Sequence, residues 1–114
     1  MRVEEYSMPV EREVLYFTEE GRHYVEIRSD ALQDPVSVIE EDVRCNRLLH
    51  YPPEFRTAYE IAKSRDPQVV RKAINISTIT QYSKELGKWV QIVDLDFVPV
   101  SIAEYLGIAK TLEV

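Results

Sequence analysis

Pro67-Gln68-Val69-Val70-Arg71-Lys72-Ala73-Ile74-Asn75-Ile76-Ser77-Thr78-Ile79-Thr80-Gln81-Tyr82-Ser83-Lys84-Glu85-Leu86-Gly87-Lys88 is the stretch on which the fold turns. Val69, Val70 and Ala73 make one apolar stripe at helical spacing. Ile79, Tyr82 and Leu86 make a second, rotated well away from the first. The residues between them, Ile74 to Thr78, are β-branched or turn-prone, which argues against one continuous helix. The spacing predicts two short helices, 67–74 and 78–86, joined by a tight connection, with Gly87 as the residue that ends the second.

Two short helices with a tight turn form a candidate helix-turn-helix. One helix braces on the DNA backbone and the next enters the major groove. A buried Ile79/Tyr82/Leu86 stripe leaves Thr80, Gln81, Lys84 and Lys88 exposed. Gln pairs bidentately with adenine, and Lys reaches guanine or phosphate. Arg71 and Lys72 on the preceding helix are candidates for phosphate contacts. Against this, Asn75-Ile76-Ser77 contains no glycine, Ala73 lies too close to the turn, and a winged version needs two following strands where one is visible. The plainer reading is two packed surface helices with solvated lysines.

The charge layout points to the same segment. The 114-residue chain carries a net charge of −6. Residues 1–42 hold 4 basic and 12 acidic side chains, residues 43–92 hold 9 and 4, and residues 93–114 hold 1 and 4. A basic middle between acidic ends marks an interaction surface or an internal neutralisation across the fold.

Length and composition fit one domain spanning 1–114. At 45% hydrophobic and 30% charged residues, the chain is neither disordered nor collagen-like. Cys45 is the only cysteine, so no intrachain disulfide can form. The first residues lack a signal peptide's apolar region, and no apolar run approaches the ~20 residues of a membrane span. These features predict a soluble, cytoplasmic protein. Scarce Gly and Asn beside abundant Ile, Val, Tyr and Glu lean towards a thermophile's composition.

Working outward from the middle, residues 13–28 read as a β-hairpin. Val14–Thr18 and His23–Ile27 are its arms, and Glu19-Glu20-Gly21 is a three-residue loop. A tighter register would set Val14 against Ile27 and Tyr16 against Val25. The first residues are a candidate edge strand, limited by Pro9. Asp34-Pro35 is a helix start. The favoured reading is a helix over 36–50, with a short strand over 36–39 as the alternative. Phe55, Ala58, Tyr59 and Ala62 define a helix over 54–65. Trp89 to Val98 alternates as a strand ended by Pro99. Ser101-Ile102-Ala103-Glu104 resembles a capping box for a short terminal helix closed by Gly107. The result is an α+β fold: an N-terminal hairpin, central helices, one further antiparallel strand (89–98) pairing with the hairpin, and helices on one face.

Catalytic signatures are absent from this reading. Asp94 and Asp96 share a strand face, as a divalent cation site would need, but further ligands are not evident beyond guesses at Glu85 and Glu104. A solvated strand face explains the pair more simply. Cys45 is expected in the core and His23 in half-buried packing. The two functional expectations are therefore a small non-enzymatic regulator binding double-stranded DNA through Arg71, Lys72, Thr80, Gln81, Lys84 and Lys88, and a non-catalytic interaction or assembly module acting as a homodimer. No cofactor, metal or membrane is expected. The hairpin's second apolar face, with Phe17 and Tyr24, is the surface that a second copy would cover.

Overall fold

The computed structural model describes residues 2–7, 12–45 and 48–107. Its elements run β1 (Arg2–Ser7), β2 (Arg12–Glu19), β3 (Arg22–Ser29), α1 (Pro35–Arg44), a 3-10 turn (Leu48–His50), α2 (Pro53–Arg65), α3 (Pro67–Ile76), β4 (Thr78–Ser83), β5 (Lys88–Asp94) and α4 (Phe97–Leu106). The five strands form one antiparallel sheet in the order β1-β2-β3-β5-β4. The class is α+β. Among the described residues no helix is long and apolar enough to cross a membrane.

The β2–β3 hairpin takes the tighter register, with Val14 opposite Ile27 and Tyr16 opposite Val25. Its loop is only Glu20-Gly21, because both residues adopt left-handed backbone, at φ 52° and 81°. That is a type I′ turn, whose twist matches the flanking strands better than the expected three-residue loop.

The sheet faces differ. Val14, Tyr16, Val25, Ile27 and Val93 join the core with Val36, Val38 and Ile39 of α1, Phe55, Tyr59 and Ala62 of α2, Val70, Ala73 and Ile74 of α3, and Ile102 of α4. All five of those strand residues point to one face, which places the helical layer on that side alone. α1 is buried over a wide arc, which accounts for Val36 and Val38 both lying inside.

Several expected boundaries shift. The helix from 36 stops at Arg44, where the Cys45 N–H bonds back to the carbonyls of Glu41 and Val43. His50 belongs instead to the 3-10 turn before Tyr51-Pro52. The strand expected over 89–98 ends at Asp94, and Pro99 lies in the first turn of α4, where a missing N–H costs nothing. Ser101 and Glu104 are not a capping box, since Ser101 is buried mid-helix. The capping role passes to Asp94, whose Oδ1 accepts from the N–H groups of Asp96 (3.0 Å) and Phe97 (3.2 Å). Gly107 does end α4, at φ 72°.

The largest correction falls on residues 78–86. Thr78–Ser83 is a strand, Lys84–Gly87 is the loop of a hairpin with β5, and α3 runs on to Ile76. Thr78, Ile79, Thr80 and Tyr82 are β-formers, and β5 offers them an open ladder. Gly87, at φ 65°, serves the hairpin and donates its N–H to the Ser83 carbonyl. The helical spacing of Ile79, Tyr82 and Leu86 is coincidental. The expected Pro9 break and the expected helix through 46–47 fall outside the described residues.

Candidate protein interface along β4

With Thr78–Ser83 a strand and 84–87 its loop, residues 67–88 form no helix-turn-helix. The six residues assigned to nucleic acid are dispersed. Arg71 and Lys72 are on α3, in the helical layer, and Arg71 pairs with Asp34 at 3.3 Å. Thr80 and Gln81 are neighbours on β4 and so point to opposite faces of the sheet. Lys84 is in the hairpin loop. Lys88 begins β5 and lies 3.7 Å from Glu13.

The Asp94/Asp96 carboxylates are committed to the fold. Asp94 caps α4 and pairs with Arg22 at 2.5 Å, and its hydrogen bond and charge push the Arg22 guanidinium further up. Asp96 accepts the His23 backbone N–H at 2.5 Å and lies 3.3 Å from His23 Nδ1. Together they stitch the β5–α4 turn to the start of β3. Among the described residues, no three His, Cys, Asp or Glu side chains gather as a metal site. Cys45 is exposed at the end of α1, contrary to its expected place in the core.

A buried polar cluster ties the helical layer to the sheet. Asp42, with no exposed surface, accepts from the hydroxyls of Tyr16 and Tyr51. The His50 ring stacks on Tyr16 with centroids 4.3 Å apart. At the start of α1, Asp34 caps Val36 and accepts from Ser37 Oγ. Partial burial pushes the Asp34 carboxyl up, but the bonds from Ser37, Arg71 and the Val36 N–H, with the Arg71 charge, hold it below the usual carboxylate range.

Two surfaces remain as candidates for a partner. The first is the helix-free sheet face, carrying Leu15, Phe17, Tyr24, Val90 and Ile92. That face is already largely closed. Leu15 and Val90 keep only 6% and 7% exposure, Phe17 stacks on Tyr24, and the pairs Arg28–Glu26 and Lys88–Glu13 lie among them. Aliphatic stems of paired Arg and Lys side chains can cover apolar surface in this way.

The second surface is the β4 edge. Ile76 is 57% exposed, Ile79 71%, Tyr82 50% and Leu86 46%, four of the ten large exposed apolar side chains among the described residues. They fall within eleven consecutive positions. Tyr82 meets Trp89 edge-on at 5.3 Å and still shows half its surface. The stripe expected to be buried is therefore the exposed one. The backbone beside it is also open. Asp94 N–H donates to the Ser77 carbonyl, and Gly87 N–H to the Ser83 carbonyl, both at 2.8 Å. Antiparallel ladders alternate, so Ser77, Ile79, Gln81 and Ser83 turn their amide groups towards β5, while Thr78, Thr80 and Tyr82 turn theirs away. The sequence did carry a signal for this edge: six uncharged residues, Thr78-Ile79-Thr80-Gln81-Tyr82-Ser83, within a chain that is 30% charged.

An apolar groove of about 490 Å³ also lies between α2 and α4, lined by Pro53, Ala58, Ile61, Pro99 and Ile102, with Glu54 at its wall. No family model, no curated protein and no solved structure matches this chain.

Proposed function

We propose that this protein is a non-catalytic assembly module that works as a homodimer, joined through the β4 side of its sheet. The observation that carries the reading is the gathering of Ile76, Ile79, Tyr82 and Leu86, all well exposed, around an uncharged edge strand. These four side chains flank one open strand edge on both of its faces and at both of its ends. Native sheets also guard their edges with Lys, Pro or bulges, and β4 carries none of these among its six residues. A second copy is the partner best suited to such a strip. Two chains of net charge −6 repel elsewhere, and an uncharged strip meeting its own image adds no further repulsion.

Light scattering after size exclusion, across a hundredfold range of concentration, tests this. The expected mass is twice 13.3 kDa at the upper end, falling towards 13.3 kDa in Ile79→Lys. A single 13.3 kDa species at every concentration overturns the reading.

A further inference from the structure

We infer that two copies join by pairing β4 with β4 in antiparallel fashion about a two-fold axis through Thr80, making one continuous ten-stranded sheet. This rests on the homodimer reading above and specifies its geometry. The starting point is the free ladder edge. β4 is last in the sheet order, and Thr78, Thr80 and Tyr82 direct their amide groups outward. Those six outward groups, three N–H and three C=O, are a template for one more strand.

Symmetry and side-chain alternation then restrict the register. A two-fold axis perpendicular to a sheet reverses strand direction and keeps each face on its own side. Directly opposed residues in an antiparallel pair share a face. The axis must therefore pass through a residue, not between two residues. An axis through Gln81 or Ile79 puts only two of the three outward-facing residues into bonded rows. An axis through Thr80 uses all three: Thr80 opposes its own counterpart, and Thr78 and Tyr82 oppose each other in two symmetric rows. All six outward groups are then bonded across the junction.

The same register suits the side chains. On the helix-free face Ile79 comes to lie beside Gln81 of the second copy. On the other face Tyr82 lies beside Thr78 of the second copy, a β-branched neighbour for an aromatic ring. β1, at the opposite edge, offers no equivalent: Arg2, Glu4 and Glu5 place three charges in its six residues.

Cysteine cross-linking and a proline substitution test the register, both in a Cys45→Ser background that removes the exposed native thiol. In a hydrogen-bonded antiparallel pair opposed Cα atoms lie about 5.5 Å apart, within disulfide range. Thr80→Cys should therefore form a covalent dimer rapidly with diamide. Gln81→Cys should do so slowly, because its counterpart sits two positions off, at about 7–8 Å. Thr80→Pro removes an N–H that points away from β5, a position where an edge strand tolerates proline. It should keep the folded circular dichroism spectrum and lose the dimer. If the protein is a dimer while Thr80→Cys does not cross-link and folded Thr80→Pro stays dimeric, strand pairing is wrong and the homodimer reading stands. Faster cross-linking of Gln81→Cys than of Thr80→Cys refutes the register. A monomer throughout overturns both. If Thr80→Pro fails to fold, the two cysteine variants still decide the register.

Discussion

Replacing Asp42 by alanine should cost this protein a large part of its stability. The carboxylate is fully buried and accepts two phenolic hydroxyls, those of Tyr16 on β2 and of Tyr51 beyond the 3-10 turn. Both rings are themselves buried, so neither hydroxyl recovers the lost acceptor from bulk water. Removing one partner of a buried hydrogen bond costs about 1–3 kcal/mol. Two such losses, with the small void left by the side chain, come to about 4 kcal/mol. Set against a typical total of about 5–15 kcal/mol, that leaves a marginal protein. With a urea m value of about 1.5 kcal/mol per M, the midpoint should fall by roughly 2.5 M. Tyr16→Phe and Tyr51→Phe should each cost less, about 1.5 kcal/mol, because each removes only one bond to the carboxylate. A double-mutant cycle between positions 16 and 42 should show coupling of about 1 kcal/mol or more. The assay is urea denaturation followed by far-ultraviolet circular dichroism at one protein concentration, since dimerisation would otherwise add to the apparent stability. A midpoint shift below about 0.5 M for Asp42→Ala, or additive effects in the cycle, would refute the idea that this carboxylate anchors the helical layer to the sheet.

Two further predictions follow from the elements around the core. Asp34→Ala should cost about 1 kcal/mol at neutral pH, the usual cost of losing a helix cap. Because the folded Asp34 carboxyl titrates below its unfolded value, its contribution is present above the ordinary carboxylate pKa of about 3.9 and lost as pH falls through the lower folded value. Acid titration of stability should therefore show a shallower loss between pH 5 and 3 in the variant, in rough terms, and an unchanged acid limb would count against the assignment. Glu20→Asn should raise the melting temperature by about 4 °C, since Asn tolerates the left-handed backbone that Glu20 occupies, while Gly21→Ala should lower it. Opposite signs for either change, in calorimetry at matched concentration, would contradict the type I′ turn.

Where the sequence could be read, a short-range signal coincided with the tertiary demand. Asp34-Pro35 reads as a helix start, and Asp34 does cap, accepting the N–H two residues on. The Phe55/Tyr59/Ala62 stripe is buried as its spacing implies. The N-terminal hairpin and its pairing with the strand expected over 89–98, which the fold confines to Lys88–Asp94, are legible from alternation and β-branched content. The errors arose where two readings shared the same residues. Pro99 ends a strand or opens a helix equally well, and Asp94 decided the matter by capping α4 from two residues outside it. Cys45 looked apolar in isolation, but it falls at the end of α1, where the chain leaves the core.

The β4 segment shows the same ambiguity with more at stake, because the candidate site hangs on it. Ile79, Tyr82 and Leu86 are three and four apart, and that spacing alone suggests a helical stripe facing a core. Their chemistry argues otherwise. Thr78, Ile79 and Thr80 are β-branched in succession and lose rotamer freedom in a helix, while on a pleated strand they fit without strain. In the fold, β5 has an edge that β3 leaves unfilled, and the segment adds a strand there. A strand in that position has a neighbour on one side only. Its period-two alternation then turns Ile79 to the helix-free face and Tyr82 to the other, while Leu86 sits in the loop, and none of the three reaches the core. The residues that read as a buried stripe thus become the most exposed apolar group beside an open ladder. Among the described elements none pairs with that outer edge, and the proposed second copy is what would cover it.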